Sequence, residues 1–166
     1  MMKEKDIERL AGEFDRLRAT FTRLKTEIGK GVVGHDQLLT ETLVALFAGG
    51  HLLLEGVPGL GKTLLVKTIA RATGLEYGRV QSTPDLMPAD ILGTQMVGED
   101  EAGRRTMRFH KGPVFKNLLL VDEINRATPK TQAALLEVMQ EQAVSVAGKT
   151  HMVPSPFHVL ATQNPV

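Results

Sequence analysis

The chain has 166 residues, of which 42% are hydrophobic and 23% are charged, a composition that is ordinary for one soluble globular domain. The formal net charge of +1 gives no indication of a nucleic-acid or membrane-surface partner, and the absence of cysteine excludes disulfides, zinc–thiolate sites and cysteine nucleophiles. No apolar run approaches the ~20 residues of a membrane span, and the charged N-terminus does not resemble a secretory signal. We therefore expect a cytoplasmic protein with no membrane span.

Residues 1–30 contain an apolar repeat with alternating spacings of three and four residues, which predicts one amphipathic helix. The repeat consists of Ile7, Leu10, Phe14, Leu17, Phe21, Leu24 and Ile28. Such a helix can pack on its own domain, or it can act as a coiled-coil or subunit-docking helix. The shortness of the repeat favours packing on its own domain, and both interpretations stay open.

A second helix is predicted from Asp36, as its N-cap, to the Gly49-Gly50 pair that would end it. A short strand at residues 51–55, a glycine-rich loop at 56–61 and a third helix at 62–73 follow. A glycine-rich loop between a strand and a helix is the context expected of a phosphate-binding loop.

The rest of the chain alternates apolar strands with helices. Strands are predicted at residues 77–81, 117–121 and 157–161. Helices are predicted to start at Thr83-Pro84 and at Thr128-Pro129, and hairpins at residues 94–109 and 144–153. The alternation predicts an α/β fold: a parallel sheet flanked by helices, with two inserted β-hairpins.

The glycine-rich loop and the start of the third helix match the Walker A pattern G-x-x-x-x-G-K-[ST]. Glycines let backbone N–H groups surround a polyphosphate, and the positive end of the helix dipole points at it. Lys62 can then reach the β- and γ-phosphates of ATP, while the Thr63 hydroxyl can coordinate Mg²⁺. The predicted ATP/ADP-binding residues of this segment are Gly56, Pro58, Gly59, Leu60, Gly61, Lys62, Thr63 and Leu64.

The apolar strand near residue 120 ends in two carboxylates, Asp122 and Glu123. A central parallel strand delivers the residues at its carboxyl end to the same crevice as the phosphate loop. Asp122 would hold Mg²⁺ through a water, and Glu123 would orient and deprotonate an attacking water. A carboxylate placed to activate water favours a hydrolase over a kinase.

Several segments together resemble the MoxR family of AAA+ ATPases, which are P-loop NTPases. The likeness begins near residue 32 and rests on residues 34–63, 81–93, 112–115, 122–127, 131–137 and 161–165. Three of these stretches indicate the family more specifically than the Walker motifs alone, and they read DEINRA, TQAALLE and ATQNP. The first thirty residues, which hold the predicted amphipathic helix, lie outside the resemblance, and the resemblance implies a nucleotide-binding core at residues 31–166.

The resemblance also implies further site residues. Asn164 would be the polar sensor that touches the attacking water or the γ-phosphate, so the expected catalytic set is Glu123, Lys62 and Asn164. Val33 and Gly34 would lie near the adenine. Arg126 would face a neighbouring subunit, although a surface salt bridge is an equally good interpretation.

As for biology, the resemblance implies a cytoplasmic, hexameric ATPase with a chaperone-like role in remodelling or maturing client proteins, with metal cofactor insertion as one such task. A von Willebrand factor A-type partner and a protein client, contacted by the two hairpins, are implied as well. The family continues to an arginine finger, a fifth core strand and a helical lid that these 166 residues lack. We therefore expect the isolated chain to bind nucleotide and to hydrolyse it weakly.

Three alternatives remain open. A small P-loop kinase is one, with Arg104, Arg105 and Arg108 serving a phosphorylated substrate. The second is a subunit of a metal-chelatase ATPase, which has the same architecture. The third is a non-catalytic module that uses ATP only to assemble.

Overall fold

The computed structural model describes residues 4–56, 61–99 and 103–164. The α-helices are α1 (Glu4–Gly29), α2 (Asp36–Phe47), α3 (Lys62–Thr73), α4 (Pro88–Leu92) and α5 (Pro129–Glu141). The strands are β1 (Leu52–Glu55), β2 (Tyr77–Gln81), β3 (Gly93–Glu99), β4 (Arg105–Lys111), β5 (Leu118–Asp122), β6 (Ala143–Val146), β7 (Lys149–Met152) and β8 (His158–Gln163). Two short 3₁₀ turns occupy Pro113–Phe115 and Ile124–Arg126.

Four of the strands form one sheet in the order β1-β8-β5-β2, and every neighbouring pair is parallel. Its central strand β5 is buried on both faces, as expected for a parallel sheet covered by helices. The predicted α/β fold is therefore confirmed. The same sheet brings the carboxyl ends of all four strands to one edge.

Alternate residues of β5 face two separate cores. Leu118 and Leu120 pack with Ile28, Leu43 and other apolar residues of α1, α2 and α3 on one side of the sheet. Leu119 and Val121 belong to the second core, on the side of α4 and α5. The continuous apolar run in β5 is thus explained by burial on both faces.

The two predicted hairpins are present as separate antiparallel pairs, β3 with β4 and β6 with β7. They touch through Phe109 and His151, whose rings stack 4.3 Å apart. The base of the first hairpin requires glycine, because a Cβ on Gly112 would collide with the backbone carbonyl oxygen of Ile91.

Two of the predicted helix starts are wrong. The segment Thr83-Pro84 forms a turn closed by a bond from the Leu86 N–H to the Thr83 carbonyl (3.1 Å), and α4 begins later, at Pro88. The N-cap of α2 is His35, so Asp36 is already helical and acts only by placing negative charge at the positive end of the helix dipole.

The predicted N-terminal helix is present as α1, and its two halves differ in burial. Towards its end, Ile28 is fully buried and Phe21 packs edge-on against Phe47 at 5.7 Å. Towards its start, Ile7 and Phe14 are 53% and 69% exposed. The second half therefore packs on its own domain, while a docking role for the first half stays a prediction. No helix in the described part of the chain is both long and apolar enough to cross a bilayer.

Candidate functional site

A cleft of about 450 Å³ lies at the sheet edge formed by the carboxyl ends of β2, β5 and β8. Its lining comes from the start of α3 and from the ends of β2, β5 and β8. The lining residues are Gly61, Lys62, Thr63, Leu64, Arg79, Gln81, Asp122, Glu123, Thr162 and Asn164. The cleft thus brings together seven of the residues predicted from the sequence to bind nucleotide, metal or water: Gly61, Lys62, Thr63, Leu64, Asp122, Glu123 and Asn164.

The phosphate-loop side of the cleft is built by Gly61 and the first turn of α3. Gly61 has φ +67°, a left-handed conformation in which a side chain would be strained, immediately before the helix begins. The Lys62 Nζ donates to the Gly56 carbonyl oxygen at 3.2 Å. The predicted phosphate contacts Pro58, Gly59 and Leu60 lie outside the described residues.

Asp122 ends β5 with both of its carboxylate oxygens engaged. Arg79 Nε donates to Oδ2 at 2.7 Å, and the Thr162 hydroxyl donates to Oδ1 at 3.2 Å. The bond to this carboxylate, and its charge, raise the pKa of Arg79 above the usual arginine value. Asp122 is therefore held by two neighbouring strands, β2 and β8.

Glu123 lies just beyond the strand, in a left-handed backbone conformation (φ +54°) that is rare for a residue with a side chain. Its N–H donates to the Thr162 hydroxyl oxygen at 3.0 Å, which fixes the turn. Its carboxylate accepts three bonds: from Asn164 Nδ2 at 3.1 Å, from Gln81 Nε2 at 3.2 Å and from Arg126 Nη1 at 2.9 Å. A side chain held from three directions is preorganised.

Three of these partners, Arg79, Gln81 and Thr162, were not expected in the site from the sequence. The pairing of β2 with β5 places Gln81 opposite Asp122, and Arg79 lies two residues earlier on the same face. Once the strand order is known, the rule that residues ending neighbouring strands share one crevice points to Gln81 and Thr162. Arg126 forms a salt bridge within the chain, to Glu123, which supports the second of its two interpretations; contact with another subunit stays a prediction.

Val33 and Gly34 lie in the turn between α1 and α2, where Val33 is 83% exposed. Neither is among the described residues that line the cleft. Their contact with adenine therefore stays a prediction.

The oxygen donors present suit Mg²⁺. Thr63 offers a hydroxyl and Asp122 a carboxylate, and Mg²⁺ typically takes one or two such groups together with waters and substrate phosphates. Within residues 4–56, 61–99 and 103–164, no three His, Cys, Asp or Glu side chains gather as a metal cage. The site thus fits a metal that arrives with a phosphate ligand.

Comparison with known proteins agrees with this geometry. Residues 51–166 match the model of the ATPase family associated with various cellular activities, AAA. The chain is 52% identical over 147 residues to the chaperone MoxR1 of Mycobacterium tuberculosis and 39% identical over 154 residues to the protein MoxR of Methylorubrum extorquens. These matches cover 89% and 90% of this chain, and 38% and 43% of the relatives.

Among solved structures, a provisionally assigned ATPase from Cytophaga hutchinsonii is similar over 97% of this chain, with a TM-score of 0.83 and 43% identity. The match covers 48% of that chain, so this chain spans less than half the length of these three relatives. The fold, the site and the relatives agree: the chain belongs to the MoxR family of AAA ATPases.

Proposed function

We propose that the chain binds ATP with Mg²⁺ and hydrolyses it to ADP and phosphate. One observation carries the proposal: Glu123, held by Asn164, Gln81 and Arg126, lines the same cleft as Lys62, Thr63 and Asp122. A positioned carboxylate beside a phosphate-binding helix start and a metal-binding carboxylate is the arrangement that water attack on a phosphoryl group requires.

Each residue has a separate role in this proposal. Lys62 leaves its bond to Gly56 and places its charge on the β- and γ-phosphates. Glu123 takes a proton from a water, whose oxygen bonds to the γ-phosphorus as the bond to the β–γ bridging oxygen breaks. Asn164 holds Glu123 and the attacking water in line. A bound Mg²⁺ supplies charge neutralisation on the phosphate oxygens.

The proposal for the wider function rests on the similar proteins and not on the geometry of the site. The name of the mycobacterial relative supports a chaperone role, and we extend this to remodelling or maturation of client proteins, including metal cofactor insertion. We further propose a hexameric assembly in the cytoplasm, with a von Willebrand factor A-type partner and the hairpins β3–β4 and β6–β7 directed at the client. A ring would supply a cation from a neighbouring subunit to the cleft, which gives the isolated chain slow turnover.

Hydrolysis is tested under single-turnover conditions, with excess protein over radiolabelled ATP. We expect slow formation of ADP by the wild type and a decrease of roughly 10²–10⁴-fold in Glu123→Gln, with ATP affinity retained. Glu137→Gln, on α5 and outside the cleft lining, is the matched control and should behave as wild type. Equal rates in wild type and Glu123→Gln would favour a module that uses ATP only to assemble.

A further inference from the structure

The carboxylate expected to serve Mg²⁺ already has a cation beside it. Arg79 Nε lies 2.7 Å from Asp122 Oδ2, and the Thr162 hydroxyl bonds the other oxygen. A divalent ion at Asp122 would sit within a few ångströms of the guanidinium, and the two positive charges would repel each other. Mg²⁺ and Arg79 therefore compete for the Asp122 carboxylate.

The two partners of this ion pair differ in freedom to move. The side chain of Asp122 is 14% exposed and is bonded from both sides, whereas that of Arg79 is 48% exposed and projects from β2. An ion pair with one half-exposed member is weak and can be broken at little cost. When the two cations compete, Arg79 moves and Asp122 stays.

Gln81 links this ion pair to Glu123. Its Oε1 accepts from Arg79 Nη2 at 3.3 Å, and its Nε2 donates to Glu123 Oε2 at 3.2 Å. The hydrogen-bond networks of Asp122 and Glu123 therefore share one side chain.

We propose that Arg79 is a built-in counter-cation, which neutralises Asp122 until Mg²⁺ displaces it. The proposal rests on the proposed function, since it concerns how the same cleft loads its metal. It makes Arg79 a positioning residue that tunes metal affinity.

The first experiment measures ADP affinity by calorimetry in EDTA and at stepped Mg²⁺ concentrations. In Arg79→Met, the Mg²⁺ concentration that gives half of the maximal increase in ADP affinity should fall roughly two- to fivefold, because the competing guanidinium is gone. Arg79→Lys, which keeps the charge, should restore a value close to wild type. A gain in metal affinity cannot result from a merely damaged fold.

Arg71→Met is the matched control, because it removes the same charge from the far end of α3, outside the cleft lining. It should leave the Mg²⁺ dependence unchanged. An Arg79→Met chain that binds ADP in EDTA, yet needs as much Mg²⁺ as wild type or more, would overturn the inference.

A second readout requires no nucleotide. In the free chain, NMR should show a slowly exchanging arginine Nε–H signal that is missing from Arg79→Met and that disappears as Mg²⁺ is added. Absence of this signal, or its persistence at saturating Mg²⁺, would overturn the inference. Failure of wild type to bind ADP in either buffer would instead overturn the proposed function. The NMR signal would still show whether Mg²⁺ displaces Arg79 from Asp122.

Discussion

Asn164 Nδ2 donates to Glu123 Oε1 at 3.1 Å, although the two residues are 41 positions apart in the chain. The bond exists because β5 and β8 are parallel neighbours, so that the residues just beyond their carboxyl ends meet above the same edge. Both side chains line the cleft that contains the start of the Lys62 helix. This pairing joins the expected base and the expected sensor into one unit.

Asn164→Ala should slow hydrolysis without loss of nucleotide binding. The alanine removes a donor that orients Glu123, and misplacement of a catalytic group typically costs roughly ten- to a hundredfold in rate. Single-turnover hydrolysis and ADP titration measure the two effects separately. A variant with wild-type rate would show that Asn164 has no role in the chemical step, and a variant that no longer binds ADP would show a role in affinity instead.

Thr162→Val should destabilise the folded chain by about 1–2 kcal/mol, since the nearly isosteric valine leaves the Glu123 N–H and the Asp122 carboxylate without the hydroxyl. Thr162 is 4% exposed, so water cannot readily replace the lost bonds. Urea unfolding followed by circular dichroism gives the free energy of unfolding. Thr162→Ser keeps the hydroxyl and should recover most of the loss; an equal loss in both variants would assign the effect to the methyl group.

Gly112→Ala should destabilise the chain by roughly 2 kcal/mol or more, because the added Cβ meets the backbone of Ile91 and Gly93 at the base of the first hairpin. Gly12→Ala is the matched control: the same methyl group points into open space on α1, where alanine should stabilise by about 0.5–1 kcal/mol. Chemical denaturation of both variants measures the difference. Equal stability of the two would contradict the close approach at the hairpin base.

Acid should destabilise the fold through His51, at the opposite end of the sheet from the cleft. Burial, and then the charge of nearby His158, lower the pKa of His51 below its ordinary value of 6.5, and its Nδ1 accepts from the Val159 N–H at 2.9 Å. The unfolded state therefore binds the proton more readily than the folded state, so the stabilisation is complete above pH 6.5 and is lost as the pH falls towards the folded pKa.

The measurement is the free energy of unfolding of wild type and His51→Asn between pH 7.5 and pH 5, the range in which histidine changes charge. Asparagine offers an acceptor oxygen near the Nδ1 position and does not titrate. We expect the stability of the variant to depend less on pH over this range. Identical pH profiles would show that His51 does not control acid stability.

The sequence predicted those parts of the molecule in which local pattern and tertiary structure agree. The apolar run that became β5, the loop before Lys62 and the acidic pair Asp122-Glu123 carry their signals within a few residues. The predicted start at Thr83 failed because Ser, Thr and Asp suit both helix caps and turns, and only packing decides between them. The predicted cap at Asp36 is one residue late, because Asp is favourable in the first turn of a helix as well as at its cap.

The partners of the acidic pair could not be read from local pattern. Arg79 and Gln81 are ordinary polar residues on a short strand, and their role depends on which strand lies beside β5. Strand order is a long-range property, so the network around Glu123 became visible only with the sheet assembled.

The most direct test of the central claim, that this cleft binds ATP through its phosphate loop, is calorimetric titration with Mg²⁺ and a slowly hydrolysed ATP analogue. Wild type and Lys67→Ala, a substitution of an exposed lysine on the same helix, should both bind at one site. Lys62→Ala should lose that binding, because its lysine supplies the charge that holds the β- and γ-phosphates. Unchanged binding by Lys62→Ala, or no binding by wild type, would contradict the account.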